Sequence, residues 1–143
     1  MNEKYFNTKF LWGIPDDNHH IPLYLAKSNI ENKAPLNGES IIEAFQNYDV
    51  LGRPTISINM DQNGALIWER LTGNASNNST NIAITLNNLV FSAPSVNSGP
   101  IKAGQSEISG DFTLQQAQDL AIVLSSQKEI SRLKLLQYVR LKN

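Results

Sequence analysis

The fold is decided by residues 55–73, which have the sequence TISINMDQNGALIWERLTG. The first six residues of this stretch alternate strictly between polar and apolar, so that Ile56, Ile58 and Met60 share one face. Such a period of two is typical of a β-strand with one face in the core and the other toward solvent. The first part of the stretch is therefore predicted to be a half-buried strand.

The second part of the stretch predicts an amphipathic helix. Asp61 is a candidate N-cap, because a short polar side chain accepts hydrogen bonds from the free amides of the first turn. Gly73 is a candidate C′ residue, because glycine readily adopts the left-handed conformation that ends many helices. Ala65, Trp68 and Leu71 fall at helical spacing and are expected to face the core.

Leu66 and Ile67 lie between the core positions of this predicted helix. They are expected to point elsewhere, partly outward, where apolar side chains can form a contact surface. No other part of the sequence suggests such a surface. Leu66 and Ile67 are therefore the candidate contact residues.

The remaining segments predict strands, turns and loops. Asn87-Asn88 suits a two-residue type I′ turn, because Asn tolerates positive φ better than most residues. Residues 40–48 are compatible with either a strand or a helix. Residues 29–39 and 74–81 are polar and are expected to be loops. Two hairpins are expected, one pairing residues 9–14 with 21–26 and one pairing 82–86 with 89–93. Residues 106–110 and 133–141 are expected to be further strands. For 133–141 a helical continuation is the alternative.

The strongest helix signal begins at Thr113. Thr113 and Gln116 have the spacing of a capping box, and Phe112 and Ala117 occupy the hydrophobic-staple positions. The order of elements predicts an α+β fold, in which two helices pack on one face of a mainly antiparallel sheet. The apolar stripe of the second helix is Ala117, Leu120, Ala121 and Leu124. Five aromatic side chains are also expected in the core: Phe10, Trp12, Trp68, Phe91 and Phe112.

Composition excludes several classes of protein. The chain has 143 residues, of which 41% are hydrophobic, and this suffices for a single domain with a core over residues 1–143. The absence of cysteine excludes disulfides, thiolate metal sites and a cysteine nucleophile. The net charge of -1 produces no field that would attract nucleic acid. The longest apolar run, residues 120–124, is far shorter than the ~20 residues of a membrane helix.

The sequence contains no combination of residues that predicts catalysis. His19-His20 beside Asp16-Asp17 is a possible metal cluster, but adjacent side chains in an extended segment point to opposite sides. A solvated turn is the favoured interpretation, and it also removes any Ser–His–Asp arrangement. Residues 99–104 lack the Lys-Ser/Thr pair of a phosphate-binding loop. No cofactor, metal or catalytic residue is therefore predicted.

Several short motifs occur together in an order and spacing that resemble one known family. The motifs are KFLW at 9–12, KAPL at 33–36, GRPTISI at 52–58, NGA at 63–65, WERLT at 68–72, IAI at 82–84, SAP at 92–94, ISGDFT at 108–113 and AQDLA at 117–121. In this combination the sequence resembles the P1 head subdomain in the first periplasmic domain of the SecD/SecDF protein-export membrane proteins, in the form typical of Bacteroidetes-type bacteria. The resemblance covers about residues 8–128 and leaves 129–143 as a diverged C-terminal strand.

The resemblance implies a part in protein export. Members of the family belong to the resistance–nodulation–division superfamily and use the proton-motive force to help draw preproteins out of the SecYEG translocon. It implies a periplasmic, non-catalytic domain whose partners are unfolded preprotein chains and, in the full-length context, SecYEG, without nucleic acid. Leu66 and Ile67 become candidate preprotein contacts, and we expect a monomer. The proton-carrying carboxylates of the family lie in its membrane helices, so none is assigned here.

Alternative interpretations belong to other functional classes. Family members carry membrane helices and this sequence shows none, so we expect either an excised soluble piece or a diverged freestanding relative. The main alternative is a freestanding secreted or lipoprotein-type binding module with the same fold. A small enzyme is the least favoured, because no catalytic constellation is present.

Overall fold

The computed structural model of the protein describes residues 7–16, 18–28, 34–96, 98–125 and, for the backbone, 133–140. Within these residues the chain forms antiparallel strands and two α-helices, which confirms the predicted α+β class. The strands are β1 (Asn7–Trp12), β2 (Leu23–Ser28), β3 (Leu36–Asn37), β4 (Ile41–Tyr48), β5 (Pro54–Met60), β6 (Asn81–Leu86), β7 (Leu89–Ser92), β8 (Gln105–Ile108) and β9 (Leu133–Arg140). The helices are α1 (Gln62–Asn77) and α2 (Leu114–Ser125), with a 3₁₀ helix at Gly38–Ser40.

The strands form two sheets, whereas the sequence predicted one. The larger sheet has the order β1-β2-β9-β6-β7, with β3 also pairing with β9, and the smaller has the order β4-β5-β8. The polar–apolar alternation of a strand determines which side chains share a face. It does not determine which strands become neighbours, since neighbours are chosen by contacts between distant segments.

The larger sheet curls so that its two edges meet at one end. Gly13, just beyond β1, forms a parallel bridge with Val90 of β7, and the Ile14 amide donates to the Val90 carbonyl at 3.2 Å. The curl encloses a small apolar cluster in which alanine leaves room for the approaching strands. This inner cluster consists of Leu11, Ala26, Ala83 and Val90.

The main core lies between the two sheets and the two helices. α2 packs on β4 and β5, while α1 contacts β5 of the smaller sheet and both β3 and β6 of the larger sheet. α1 therefore joins the two sheets through its apolar side. The predicted stripe of α2 is confirmed as buried, and so are Trp68 and Leu71 of α1. The largest fully buried side chains of this core are Leu36, Ile41, Ile56, Ile58, Ile82, Ile84, Ile108 and Leu124.

The predicted ends of α1 are right at one terminus and wrong at the other. The Asp61 carboxylate accepts a hydrogen bond from the Gly64 amide at 2.7 Å, which confirms the N-cap. Gly73 does not end the helix, which continues to Asn77, so the loop predicted at residues 74–81 is mostly absent. The extra turn is stabilised by tertiary contacts, since Ala75 is fully buried and the Ser76 hydroxyl accepts from the Gly99 amide at 3.1 Å.

Other local predictions are confirmed by the backbone and its hydrogen bonds. Asn87 and Asn88 both have positive φ, 51° and 63°, as a type I′ turn requires. The capping box is present, with the Gln116 amide donating to the Thr113 hydroxyl at 3.1 Å and the Thr113 amide donating to the Gln116 side chain at 2.9 Å. The first hairpin pairs β1 with β2, and the last predicted strand is β9.

One alternative is resolved, and two further predictions need correction. Residues 40–48, which are compatible with a strand or a helix by sequence, form β4. Part of the loop predicted at 29–39 is structured, because Leu36–Asn37 pairs with β9 and a 3₁₀ helix follows, while residues 29–33 lie outside the described part of the chain. Ala65, expected in the core, is half-buried.

The buried hydroxyl of Thr72 connects α1 to the loop before β8. It donates to the Trp68 carbonyl at 2.7 Å and accepts from the Ile101 amide at 2.8 Å. Thr72→Val keeps the side-chain shape but leaves the Ile101 amide without this acceptor. We expect the free energy of unfolding to fall by about 1–3 kcal/mol, measured by urea denaturation. Thr8→Val, at an exposed position of β1, is the matched control, and equal losses in the two variants would contradict the expectation.

Gly104 is required both by its backbone angle and by its surroundings. Its φ is +68°, and a Cβ atom there would lie 2.9 Å from the Ala65 Cβ. Gly99 has a similar φ of +58° but open space around it. We expect Gly99→Ala to cost about 1 kcal/mol of backbone strain and Gly104→Ala at least ~1 kcal/mol more, because of the clash. Thermal unfolding of both variants measures the difference, and equal melting temperatures would refute the steric explanation.

Candidate functional site

A shallow groove runs along the outer side of α1, and Leu66 is part of its lining. The Leu66 side chain is 55% exposed, as the sequence predicted. The opposite wall includes Pro100, which belongs to the loop that Thr72 holds against the helix. The groove has a volume of about 440 Å³, and its other lining residues are mostly polar: Glu69, Arg70, Gly73, Asn74 and Asn77. This α1 groove offers an apolar contact with an amide-rich rim.

Ile67 is placed differently from Leu66. It is partly buried and packs against the main core. Ile67 precedes the buried Leu71 by four residues, and positions i and i+4 lie on one side of a helix. Part of the Ile67 side chain therefore faces the core. Of the two predicted contact residues, the structure presents Leu66 to solvent and uses much of Ile67 for packing.

A second group of exposed apolar side chains lies on β4 and the turn that follows it. Sequence reasoning did not identify this group. The feature of the sequence that indicates this group is the pair Val50 and Leu51, two aliphatic residues immediately before the turn-forming Gly52. The exposed members are Ile42, Phe45, Tyr48, Val50 and Leu51.

Asp49 holds the turn between β4 and β5 in one conformation. Its carboxylate accepts from the amides of Leu51 and Arg53, each at 2.9 Å, and from the Arg53 Nε at 2.7 Å. The Arg53 amide, together with its guanidinium, lowers the pKa of Asp49 from its ordinary value of 3.8. The turn therefore presents Val50 and Leu51 to solvent in a fixed arrangement.

A third exposed apolar group lies on β1. Phe10 and Trp12 were expected in the core, but both are more than half exposed. They lie at the edge of the larger sheet, on the face opposite to the buried Leu11. Of the other aromatic residues in that prediction, Trp68 is buried, while Phe91 and Phe112 pack partly against the core.

The histidine-containing turn has the geometry of a solvated turn. The Asp16 carboxylate accepts from the amides of Asn18 and His20, each at 2.9 Å, and the His20 amide is the main cause of a lowered pKa of Asp16. The His20 Nδ1 lies 3.4 Å from the same carboxylate. Among the described residues, which leave out Asp17, no group of His, Cys, Asp or Glu is arranged to hold a metal ion.

Residues 16–128 match the family model of the SecDF P1 head subdomain. The chain belongs to the SecDF P1 head family. This membership confirms the resemblance indicated by the sequence motifs. None of the helices described for this P1 head is long and apolar enough to cross a membrane.

Individual relatives support the same assignment. The protein translocase subunit SecD of Rhodothermus marinus is 41% identical over 113 residues, which are 79% of this chain and 18% of that protein. The crystal structure of SecDF in its super-membrane-facing form has a TM-score of 0.57 and 30% identity, covering 70% of this chain and 13% of that chain. A second SecDF structure, of a membrane component that enhances protein export, has a TM-score of 0.57 and 28% identity, and the match covers 76% of this chain and 47% of that chain. The P1 head chain spans about a fifth of the length of the curated relatives it matches.

The Asp49 turn yields a prediction about pH. Because the pKa of Asp49 is lowered in the folded protein, its carboxylate stabilises the fold above the ordinary value of 3.8. That contribution is lost as the pH falls through the lower pKa of the folded state. We therefore expect Asp49→Asn to have a lower urea midpoint than wild type near neutral pH, and the difference to shrink at a pH below 3.8.

The control for this prediction removes another carboxylate from the same sheet. Glu107→Gln changes an exposed side chain on β8 and is expected to leave the midpoint almost unchanged at both pH values. A pH-independent loss in Asp49→Asn would show that the ionised carboxylate does not hold the turn.

Proposed function

We propose that this chain is the extracytoplasmic, non-catalytic P1 head of a SecDF-type export component and that it engages unfolded preproteins emerging from the Sec translocon. The observation that carries the proposal is the match of residues 16–128 to the SecDF P1 head subdomain. The names of the relatives support it, since they are protein translocase subunits, and one solved SecDF is described as enhancing protein export. The driving force in the full-length context is the proton-motive force.

The exposed surfaces are suited to a client that changes continuously. A domain that contacts many unfolded sequences in turn needs weak, adaptable contacts, which open apolar surfaces and sheet edges supply better than a deep, specific pocket. The α1 groove is shallow, and exposed apolar side chains are spread over β1, β4 and the β4–β5 turn. These features support contact with extended chains of varied sequence.

The surface chemistry supports the same proposal. The chain has a net charge of -1, and its Asn and Gln residues together are as numerous as its charged residues. An amide-rich, nearly neutral surface discriminates little between acidic and basic clients. The net charge also produces no overall field that would attract nucleic acid, which we therefore do not propose as a partner.

The proposed setting is the periplasmic side of the inner membrane, with the SecYEG translocon as the partner of the full-length protein. We propose that the head itself is a monomer. Within the head, the proposed preprotein contact is Leu66 in the α1 groove, because its side chain is exposed beside a polar rim that remains hydrated. Ile67 contributes the part of its side chain that the core does not cover.

The test is an NMR titration of the isotope-labelled chain with an unfolded, signal-bearing preprotein segment. Leu66→Lys is expected to raise the Kd about tenfold, because it removes an apolar contact of about 1.4 kcal/mol. Ile21→Lys is the matched control, because Ile21 is 54% exposed but lies in the β1–β2 hairpin of the larger sheet and not in the α1 groove. The Kd of this variant is expected to stay within about twofold of wild type. Ile67→Lys is unsuitable because it would place a charge against the core.

Two outcomes would count against the proposal at different levels. An unchanged Kd in Leu66→Lys would remove Leu66 as a contact while leaving preprotein binding intact. No response of any residue of the wild-type chain at millimolar peptide would refute preprotein engagement itself.

A further inference from the structure

β4 lies at the edge of the smaller sheet. In the part of the chain that the structure describes, β4 pairs with β5, and no strand pairs with its outer side. β4 is eight residues long and contains no proline or lysine, two residues that commonly protect sheet edges from further pairing. A β-bulge is present only at its beginning, between Ile41 and Glu43. From Ala44 onward the edge is regular.

Two hydrogen bonds show which backbone groups of β4 point away from β5. The Ser125 hydroxyl, at the end of α2, donates to the Ala44 carbonyl at 2.6 Å, so this carbonyl faces outward. The Asp49 amide donates to the Arg53 carbonyl at 3.0 Å, so Asp49 is bonded inward across the hairpin. Because backbone direction alternates along an antiparallel strand, Gln46 and Tyr48 also face outward. The Tyr48 amide donates to the Asn47 Oδ1 at 2.9 Å, so the Gln46 backbone groups are the ones that the inference uses.

The C-terminal end of α2 lies at this edge. Ser125 contacts β4, and Ile122, one turn earlier on the same side of the helix, is 68% exposed. A strand added to β4 would therefore run past the end of α2, on the side where Ile122 is exposed. On the α2 side of the sheet it would also meet the exposed Tyr48, and on the opposite side the exposed Phe45.

The charges around this edge select among extended segments. β4 and α2 carry the carboxylates Glu43 and Asp119 and contain no lysine or arginine. Glu43 accepts a hydrogen bond from the Asn59 side chain at 3.0 Å on the open face of the sheet. A segment with basic flanks is therefore attracted, and a segment with acidic flanks is repelled.

We propose that the β4 edge, together with Ile122 of α2, binds an extended segment of an unfolded polypeptide by strand addition. This inference rests on the proposed function and adds to the α1 groove a second contact site, with a defined client conformation and defined side chains. The backbone groups of Gln46 provide hydrogen bonds that are independent of client sequence, and Phe45, Tyr48 and Ile122 receive alternate apolar side chains. The favoured client segment is apolar at alternate positions and flanked by lysine or arginine.

The first test uses the wild-type chain and synthetic peptides. The parent peptide has about ten residues, alternating Val and Thr between terminal lysines, which is long enough to span the strand. Two derivatives carry N-methyl groups on one or the other alternate set of amides. We expect one derivative to lose affinity about tenfold or more and the other to bind within about threefold of the parent, because one alternate set donates to the edge. A version with terminal aspartates is expected to bind more weakly than the parent.

The second test uses variants of the chain. Gln46→Pro removes an outward amide without removing a β4–β5 hydrogen bond, and it is expected to raise the Kd for the parent peptide about tenfold. Ile122→Lys is expected to raise the Kd about fivefold, through lost apolar contact and charge repulsion. Leu89→Lys is the matched control, because Leu89 is an exposed leucine in the β6–β7 hairpin, and its Kd is expected to stay within about twofold.

Each other outcome overturns the inference in a distinguishable way. If both methylated peptides and Gln46→Pro bind normally while Leu66→Lys does not, preprotein engagement stands and strand addition at β4 fails. If the chain is a dimer that Gln46→Pro converts to a monomer, a second copy occupies the edge and the inference is wrong. If no peptide binds the wild-type chain while the unfolded preprotein segment still perturbs its NMR spectrum, the inference is refuted and the proposed function stands. Should Gln46→Pro not fold, the methylated peptides decide the question alone.

Discussion

The structure depends on the burial of one face of β5 together with the turn that leads directly into α1. Ile56, Ile58 and Met60 are buried, and their strand is the centre of the smaller sheet. Asp61 then caps α1, and the helix crosses to pack on β6 of the larger sheet. The strand, its cap and the helix therefore place the two sheets relative to each other through one continuous segment, and the main core forms where they meet.

This junction is reinforced by loops from both sides. The Asp61 amide donates to the Ser40 carbonyl at 2.9 Å, and the Met60 amide donates to the Gly104 carbonyl at 2.8 Å. The loop that contains Gly104 is also bonded to α1, because the Thr72 hydroxyl accepts from the Ile101 amide. Backbone groups at the end of β5 are thus satisfied by neighbouring segments, as buried polar groups require. The junction is well packed, and the exposed apolar side chains lie away from it.

A packed junction with open edges suits a domain whose proposed task is to hold polypeptide without selecting one sequence. The interior supplies rigidity, and the periphery supplies the contacts. β1 and β4 are edge strands with exposed aromatic side chains, and α1 exposes Leu66 beside a polar groove. Under the proposed function each of these contacts must be weak, because a bound client chain must also be released.

The sequence by itself determined the features that arise within a few residues of one another. The alternation of β5, the Asp61 cap, the capping box at Thr113 and the turn at Asn87 all follow from local patterns, and the structure confirms them. The family match confirms the resemblance indicated by the ordered motifs. The exposure of Leu66 was also predicted this way, because helical spacing is a local property. These predictions succeed because propensity, hydrogen bonding and periodicity act between close neighbours along the chain.

Only the tertiary structure decided the remaining features. Four features depend on residues far away in sequence. They are the division into two sheets, the extension of α1 beyond Gly73, the partial burial of Ile67 and the exposure of Phe10. The β4 edge is the clearest case, since nothing within residues 41–48 shows that only one side of the strand is paired. Neighbours of a strand or helix are chosen by packing between distant segments, and a pattern read along a single segment contains no record of that choice.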